Sequence, residues 1–214
     1  MSTKVNIGCG RTPTEGWLNF DNSPAIKLAK SPLSYKLARA LGLLNKTQIE
    51  NIEWNKKNNI HFADATKSIP LEASSVDCIY TSHMVEHLSQ EGAENFLREV
   101  KRVLKVGGVV RIAVPDLRIP VDDYLESNDA DAFMSGILVQ APEINTLKQK
   151  INLFVSGYRH HQWLYDGDSL AKLLLKMEFK SVEICKNGKT NITDSDALDL
   201  YERQEQSVIV EGIN

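Results

Sequence analysis

The chain of 214 residues contains no apolar run of the roughly 18 residues that a membrane-spanning helix needs. Its opening residues lead straight into an apolar strand pattern, without a secretory leader or small-residue cleavage site, so a cytoplasmic location is expected. The cysteines are few: Cys9, Cys78 and Cys185 are odd in number, far apart and never in a C-x-x-C pair. Neither a disulfide framework nor a zinc cluster is indicated, and no metal is expected. An excess of positive charge is also missing, with 25 Lys and Arg against 28 Asp and Glu and a formal net charge of −3. That balance offers no general attraction for nucleic acid or anionic membranes. There is no internal repeat and no low-complexity tract. What remains, at 42% hydrophobic and 25% charged, is ordinary composition for one globular domain over residues 1–214.

The first informative stretch is VNIGCGRTPTEGWLNFD, residues 5–21. Val5 and Ile7 read as a short buried strand entering a glycine turn, and Trp17 to Phe20 as a second strand ending at Asp21. Glycines at 8 and 10 let backbone N–H groups approach a ligand with no Cβ in the way, and a carboxylate ending the next strand is placed to accept ribose hydroxyls. The usual dinucleotide fingerprint has a third glycine and a full helix before its acid. Here Arg11 and Thr12 follow Gly10, and Pro13 to Gly16 have room for about one helical turn. A nicotinamide or flavin dinucleotide therefore loses the helix N-terminus that would hold its pyrophosphate.

Further along, strand and helix patterns alternate. Leu33, Leu37, Leu41 and Leu44 recur at helical spacing, and NIHFADA reads as a third strand ending near Asp64. SVDCIYTS is a fourth, buried strand. Ser89 can cap a helix whose apolar face is Phe96, Leu97, Val100, Val103 and Leu104, with Gly107 and Gly108 ending it. VVRIAVPD is a fifth strand, apolar except at Arg111 and stopped by Pro115. Residues 117–160 read as a helical insertion over the sheet edge. Asp168 can cap a helix carrying Leu170, Leu173, Leu174 and Met177, and SVEIC and SVIVEGI pair as edge strands. Strands separated by helices imply an α/β fold with a mostly parallel sheet covered on both faces. In such sheets ligands bind at the carboxyl ends of the strands, where Asp21, Asp64, Ser82, His83 and Asp116 all fall.

In order, NIGCG, the short strand ending at Asp21, FADATKSIPLEASSVDCIYTSHMVEHL and REVKRVLKVGGVVRIAVPDL resemble a class I S-adenosylmethionine (SAM)-dependent methyltransferase over most of residues 4–118. The abbreviated first loop with GWxNxD is similar to a small group of predicted methyltransferases that lack most of the first helix. The resemblance implies a Rossmann-like sheet with an antiparallel C-terminal edge, and SAM as cofactor. It implies that Gly8, Cys9 and Gly10 lie against the methionine part, that Asp21 holds the ribose, that Asp64 and Ala65 face the adenine, and that Ser82 offers its carbonyl to the ammonium. Two departures are the missing third glycine and Val106, which stands where that family usually has proline before the double glycine.

For the reaction, a hydroxyl acceptor needs a base, and His83, His160 and His161 are the candidates because imidazoles titrate near neutrality. His160 and His161 sit in RHHQWLYD beside the insertion, where loops carry specificity. Glu86 and His87 read either as catalytic groups or, in preference, as caps and braces of the turn after the fourth strand. TSHM replaces the [DN]-P-P-[YFW] tetrapeptide of base-amino methylases, so nucleic acid is not expected; the resemblance implies a small molecule or sugar as acceptor. Lys27, Lys30, Lys36, Arg39 and Lys46, with no acid among them, could frame an entrance for an anionic acceptor. A SAM-binding regulatory protein without turnover and a nicotinamide-dependent oxidoreductase are the alternatives.

Overall fold

The computed structural model describes residues 2–140, 146, 149, 160–195, 197–201 and 203–214. Seven strands form one sheet: β1 (Lys4–Ile7), β2 (Leu18–Asp21), β3 (Ile60–Phe62), β4 (Val76–Ser82), β5 (Leu104–Pro115), β6 (Lys180–Cys185) and β7 (Ser207–Ile213), in the order β3-β2-β1-β4-β5-β7-β6. The first five are parallel to one another; β7 runs antiparallel to both β5 and β6. The sequence therefore meets a topological switch between β1 and β4, the place where open α/β sheets bind ligands.

Seven helices accompany the strands among the described residues: α1 (Pro24–Ala29), α2 (Pro32–Ala40), α3 (Lys46–Lys57), α4 (Gln90–Val103), α5 (Arg118–Ser127), α6 (Ala130–Gly136) and α7 (Gly167–Lys176). The best anchored is α4. The Ser89 hydroxyl accepts from the Gly92 amide and starts it. Its apolar stripe Ala93, Phe96, Leu97, Val100 and Val103 has no exposed surface and packs with Val5, Ile79, Val110 and Ile112 of the sheet. Each large apolar side chain buried this way contributes about 1.5–3 kcal/mol. No helix among the described residues is long and apolar enough to cross a membrane.

Several expected boundaries move. The helix α4 ends at Val103 and strand β5 begins at once, so Gly107 and Gly108 lie inside the strand run. There they form an irregularity: Val76 pairs with Leu104 and Cys78 already with Val109. Gly107 has φ +79°, and a Cβ on Gly108 would stand 3.0 Å from the Lys105 carbonyl, so glycine is needed for the backbone to bulge. The cap of α7 is Asp166, which accepts from the Ser169 amide; Asp168 instead pairs with Arg118 at 2.5 Å. The leucine-spaced segment stops at Ala40, with Gly42 at φ +64° beyond it, and Leu33, Leu37 and Leu41 are exposed while Tyr35 is buried. Helix α3, unread in the sequence, carries a capping box in which Asn45 and Gln48 bond each other's backbone. Of the insertion, α5 and α6 are described; residues 141–145 and 150–159, including Arg159 of RHHQWLYD, lie outside the described residues.

Candidate functional site

At the carboxyl ends of β1 and β2 the glycine turn folds back onto the second strand. The Gly8 and Cys9 amides both donate to the Phe20 carbonyl, at 2.8 and 3.2 Å. Gly8 has φ +72°, and a Cβ there would stand 2.6 Å from Met84 Cγ, so the position admits no side chain. Gly10, at φ +52°, has nothing within 4 Å of where a Cβ would be, which leaves open space over its backbone. Asp21 accepts from the Gly10 amide at 3.0 Å and the Ser23 amide at 2.7 Å, tying turn to strand end. Burial raises its carboxyl above the ordinary range, against those two amides.

The register Asp21↔Phe62 sets Asp64 beside Asp21 at the strand ends, and the Ala63 amide donates to the Asp21 carbonyl. Asp64 accepts from the Thr66 hydroxyl at 2.7 Å and pairs with Lys67 at 2.9 Å; Ala65 is buried. The Cys9 thiol packs with Ile26 and Ile60, and burial and then Asp21 push it up to about 12. Any ligand contact of Cys9 is thus through its backbone.

Ser82 closes β4 opposite Ala113 of β5. His83 follows at φ +50°, its amide donating to the Ala113 carbonyl, and then comes a single 3-10 turn, Val85–His87. That turn forms one wall of a cavity of about 660 Å³, lined also by Asp116 and Leu117 after β5, Ile137 and Leu138 after α6, His161 and Arg203.

Residues 160–163 are clamped to the turn. The Gln162 and Trp163 amides donate to the Glu86 carbonyl at 2.8 and 3.2 Å, and the Gln162 side chain donates to the His87 carbonyl at 2.7 Å. The structure thus brings two of the three candidate histidines into the cavity wall, His83 and His161. The ring of His160 is not part of that wall; its carbonyl accepts from His87 Nδ1 at 3.1 Å, a bracing contact. Burial, then Arg203, His161 and His87, push the His83 imidazole down to about 4, and burial likewise lowers His161. In both rings burial favours the uncharged form. His83 Nε2 lies 2.8 Å from the Ser207 hydroxyl at the start of β7.

Of the two readings of Glu86, bracing and catalytic, the preferred one describes only its backbone. Its backbone does brace the clamp, but its carboxylate, 1% exposed, has no hydrogen-bond partner on either oxygen among the described residues. Burial pushes that carboxyl up to about 7. Its neighbours are His83 Nδ1 at 3.6 Å and His87 Nε2 at 3.8 Å. The adjacent E-H pair was the only available signal, because burial by residues 75 positions away is not written locally. Arg203 was missed for the same reason. The cationic stretch of Lys27 to Lys46 contributes no residue to the cavity wall: α1 packs on α2, α3 and β3, at the opposite end of the sheet from β5.

A family model described as a methyltransferase domain matches residues 5–112. No curated protein matches in sequence. Among solved structures, a SAM-dependent methyltransferase from Thermotoga maritima, described as a possible histamine N-methyltransferase, superposes with TM-score 0.52 and 14% identity, over 100% of this chain and 82% of its own. A SAM-dependent methyltransferase from Methanosarcina mazei gives TM-score 0.52 and 11% identity, over 99% of this chain and 92% of its own. At these identities the likeness is one of fold.

Proposed function

Because the chain belongs to the methyltransferase-domain family and is a SAM-dependent methyltransferase, we propose that it methylates a hydroxyl of a small molecule or sugar seated in the cavity below β4 and β5. The observation that carries this reading is the cavity of about 660 Å³ opening directly after Ser82, with His83 and His161 in its wall. Such a volume suits a compact acceptor.

The cradle fits the cofactor. Gly10 leaves its backbone open to a ligand, and the Asp21 oxygens, each holding one amide, retain acceptor capacity for a pair of ribose hydroxyls. We assign the adenine edge to Asp64 and Ala65 and the ammonium to Ser82, from their positions after β3 and at the end of β4. When bound, SAM supplies a methyl group already activated on a sulfonium. The chain's remaining work is alignment, which contributes up to about 7–11 kcal/mol in favourable cases, and disposal of the hydroxyl proton. We assign the proton to His83, which follows Ser82 without a break and lines the cavity, where burial favours the unprotonated ring that can accept it. Arg203, Asp116 and Asp123 are the charged groups in the wall besides Glu86, so the acceptor meets both signs of charge.

His83→Asn tests the assignment. Turnover is expected to fall about 10²–10⁴-fold, the range of general-base catalysis, with the dissociation constant for S-adenosylhomocysteine unchanged. Near-normal turnover would leave alignment alone as the mechanism. Failure of the wild-type protein to turn over any hydroxyl acceptor while still binding SAM would favour a regulatory role.

A further inference from the structure

The Glu86 carboxylate is difficult to account for as structure. It is withdrawn from water and bonded to nothing among the described residues, and the imidazoles of His83 and His87 stand 3.6 and 3.8 Å from it. A buried carboxylate with no donor costs several kcal/mol, and folds satisfy or neutralise such groups unless something else meets them.

The two nearest rings past it are oriented in one way. His87 Nδ1 lies 3.1 Å from the His160 carbonyl and His161 Nδ1 lies 2.9 Å from the Ile137 carbonyl. A carbonyl oxygen only accepts, so both Nδ1 atoms carry the proton, and both Nε2 atoms are left with a lone pair. His87 Nε2 is directed at Glu86, 3.8 Å away, and the two rings are 5.2 Å apart between centroids. An Nδ1–H fixed on a carbonyl while Nε2 stays free is how metal-bound histidines are held. One ligand atom from each of Glu86, His87 and His161 lies within 4.8 Å of the others. Three ligands at about 2.1 Å from one ion stand about 3.0–3.6 Å from one another, so side-chain rotations that bring the atoms about one to two ångströms closer seat the three on a cation.

We propose that Glu86, His87 and His161 bind one divalent transition-metal cation in the cavity wall, with its remaining positions open to an oxygen of the acceptor. Two imidazoles and one carboxylate suit Zn²⁺, Mn²⁺, Co²⁺ or Fe²⁺ better than Mg²⁺ or Ca²⁺, which favour all-oxygen shells. The ion neutralises the isolated carboxylate. It also selects acceptors that present a hydroxyl or carbonyl oxygen toward the turn, which narrows the proposed acceptor class and in that respect rests on the reading above. His83, whose Nδ1 also faces Glu86, keeps its proton-accepting role beside the ion.

The test uses Co²⁺ alone as probe, on the full chain stripped with chelator. The wild-type protein is expected to bind one equivalent with visible d–d absorption and without a sulfur-to-metal charge-transfer band. Glu86→Gln and His161→Ala are expected to weaken that binding by more than about 100-fold, beyond the 10–100-fold that loss of an outer-shell partner costs. The Gln variant removes a buried charge without changing shape, so its metal-free thermal midpoint is expected to equal or exceed the wild type's, which separates lost binding from lost folding. Absence of binding in the folded wild type, equal binding in both variants, or a thiolate charge-transfer band overturns the site. S-adenosylhomocysteine titrated into the same samples reads the cofactor site independently: loss there with Co²⁺ retained counts against the methyl-transfer reading and leaves the metal site standing.

Discussion

At the scale of single residues, Asp21 and Gly8 show two ways in which a position becomes indispensable. Asp21 is a matter of hydrogen-bonding capacity. Asp21→Ala removes the acceptor for the Gly10 and Ser23 amides along with the proposed ribose contact, so SAM affinity is expected to fall by about 1.5–3 kcal/mol, read by calorimetric titration. An unchanged dissociation constant in a folded variant would remove the ribose assignment. Gly8 is a matter of space. A methyl group there meets Met84 at 2.6 Å on a backbone with positive φ, and Gly8→Ala is expected to lower the thermal midpoint as well as SAM affinity. Both residues were legible in the sequence, because a glycine turn followed by a strand-end acid is a local pattern. Glu86 was not legible as an isolated charge, since its isolation is produced by Gln162, His161 and the turn folding over it from far along the chain.

Among elements, α4 and β5 explain why the centre of the fold could be read and its flanks could not. The stripe of α4 and the β-branched run of β5 are dictated by burial on the sheet, and periodicity records burial. Phe96→Ala should cost about 3–5 kcal/mol in denaturant unfolding, because the ring has no exposed surface and its removal leaves a cavity in the core. Helices α1 to α3 are set by caps, by proline at the first turn and by the Asn45–Gln48 box, signals one residue wide. The leucine spacing in α2 carried no information about the core, since Leu33 is 80% exposed. A second element-level device is the Arg111–Glu211 pair that joins β5 to β7. Both side chains are fully buried and 2.7 Å apart, and Glu211 also accepts from the Thr190 hydroxyl and the Asn191 amide, pinning residues 189–192 across the sheet. Removing one partner by Arg111→Ala should cost about 3–5 kcal/mol, and replacing both by apolar residues of similar volume much less. Equal losses in the single and double variants would show that the pair acts through volume alone.

For the molecule as a whole, the charge asymmetry of the sequence does not coincide with the cavity. Lys30, Lys36 and Arg39 are exposed on the α1–α2 segment and absent from the cavity wall. Neutralising all three is therefore expected to leave the acceptor KM unchanged at physiological ionic strength, where the Debye length is about 8 Å. A raised KM would show that this segment reaches the acceptor after all. The cavity instead draws on parts that are distant in sequence: residues 83–87 after β4, the segment around 137, the clamp at 160–163, and Arg203 near β7.

The contact between His83 and Ser207 spans 124 positions, and that span has a temporal meaning. Ser207 belongs to β7, which must insert antiparallel between β5 and β6. A ribosome delivers the glycine turn, the strand-end acids and α4 well before it delivers this strand, at about 5–20 residues per second. The nascent chain can thus assemble the glycine turn and its strand-end acids early, while the wall of the proposed acceptor cavity closes only once β7 has been made.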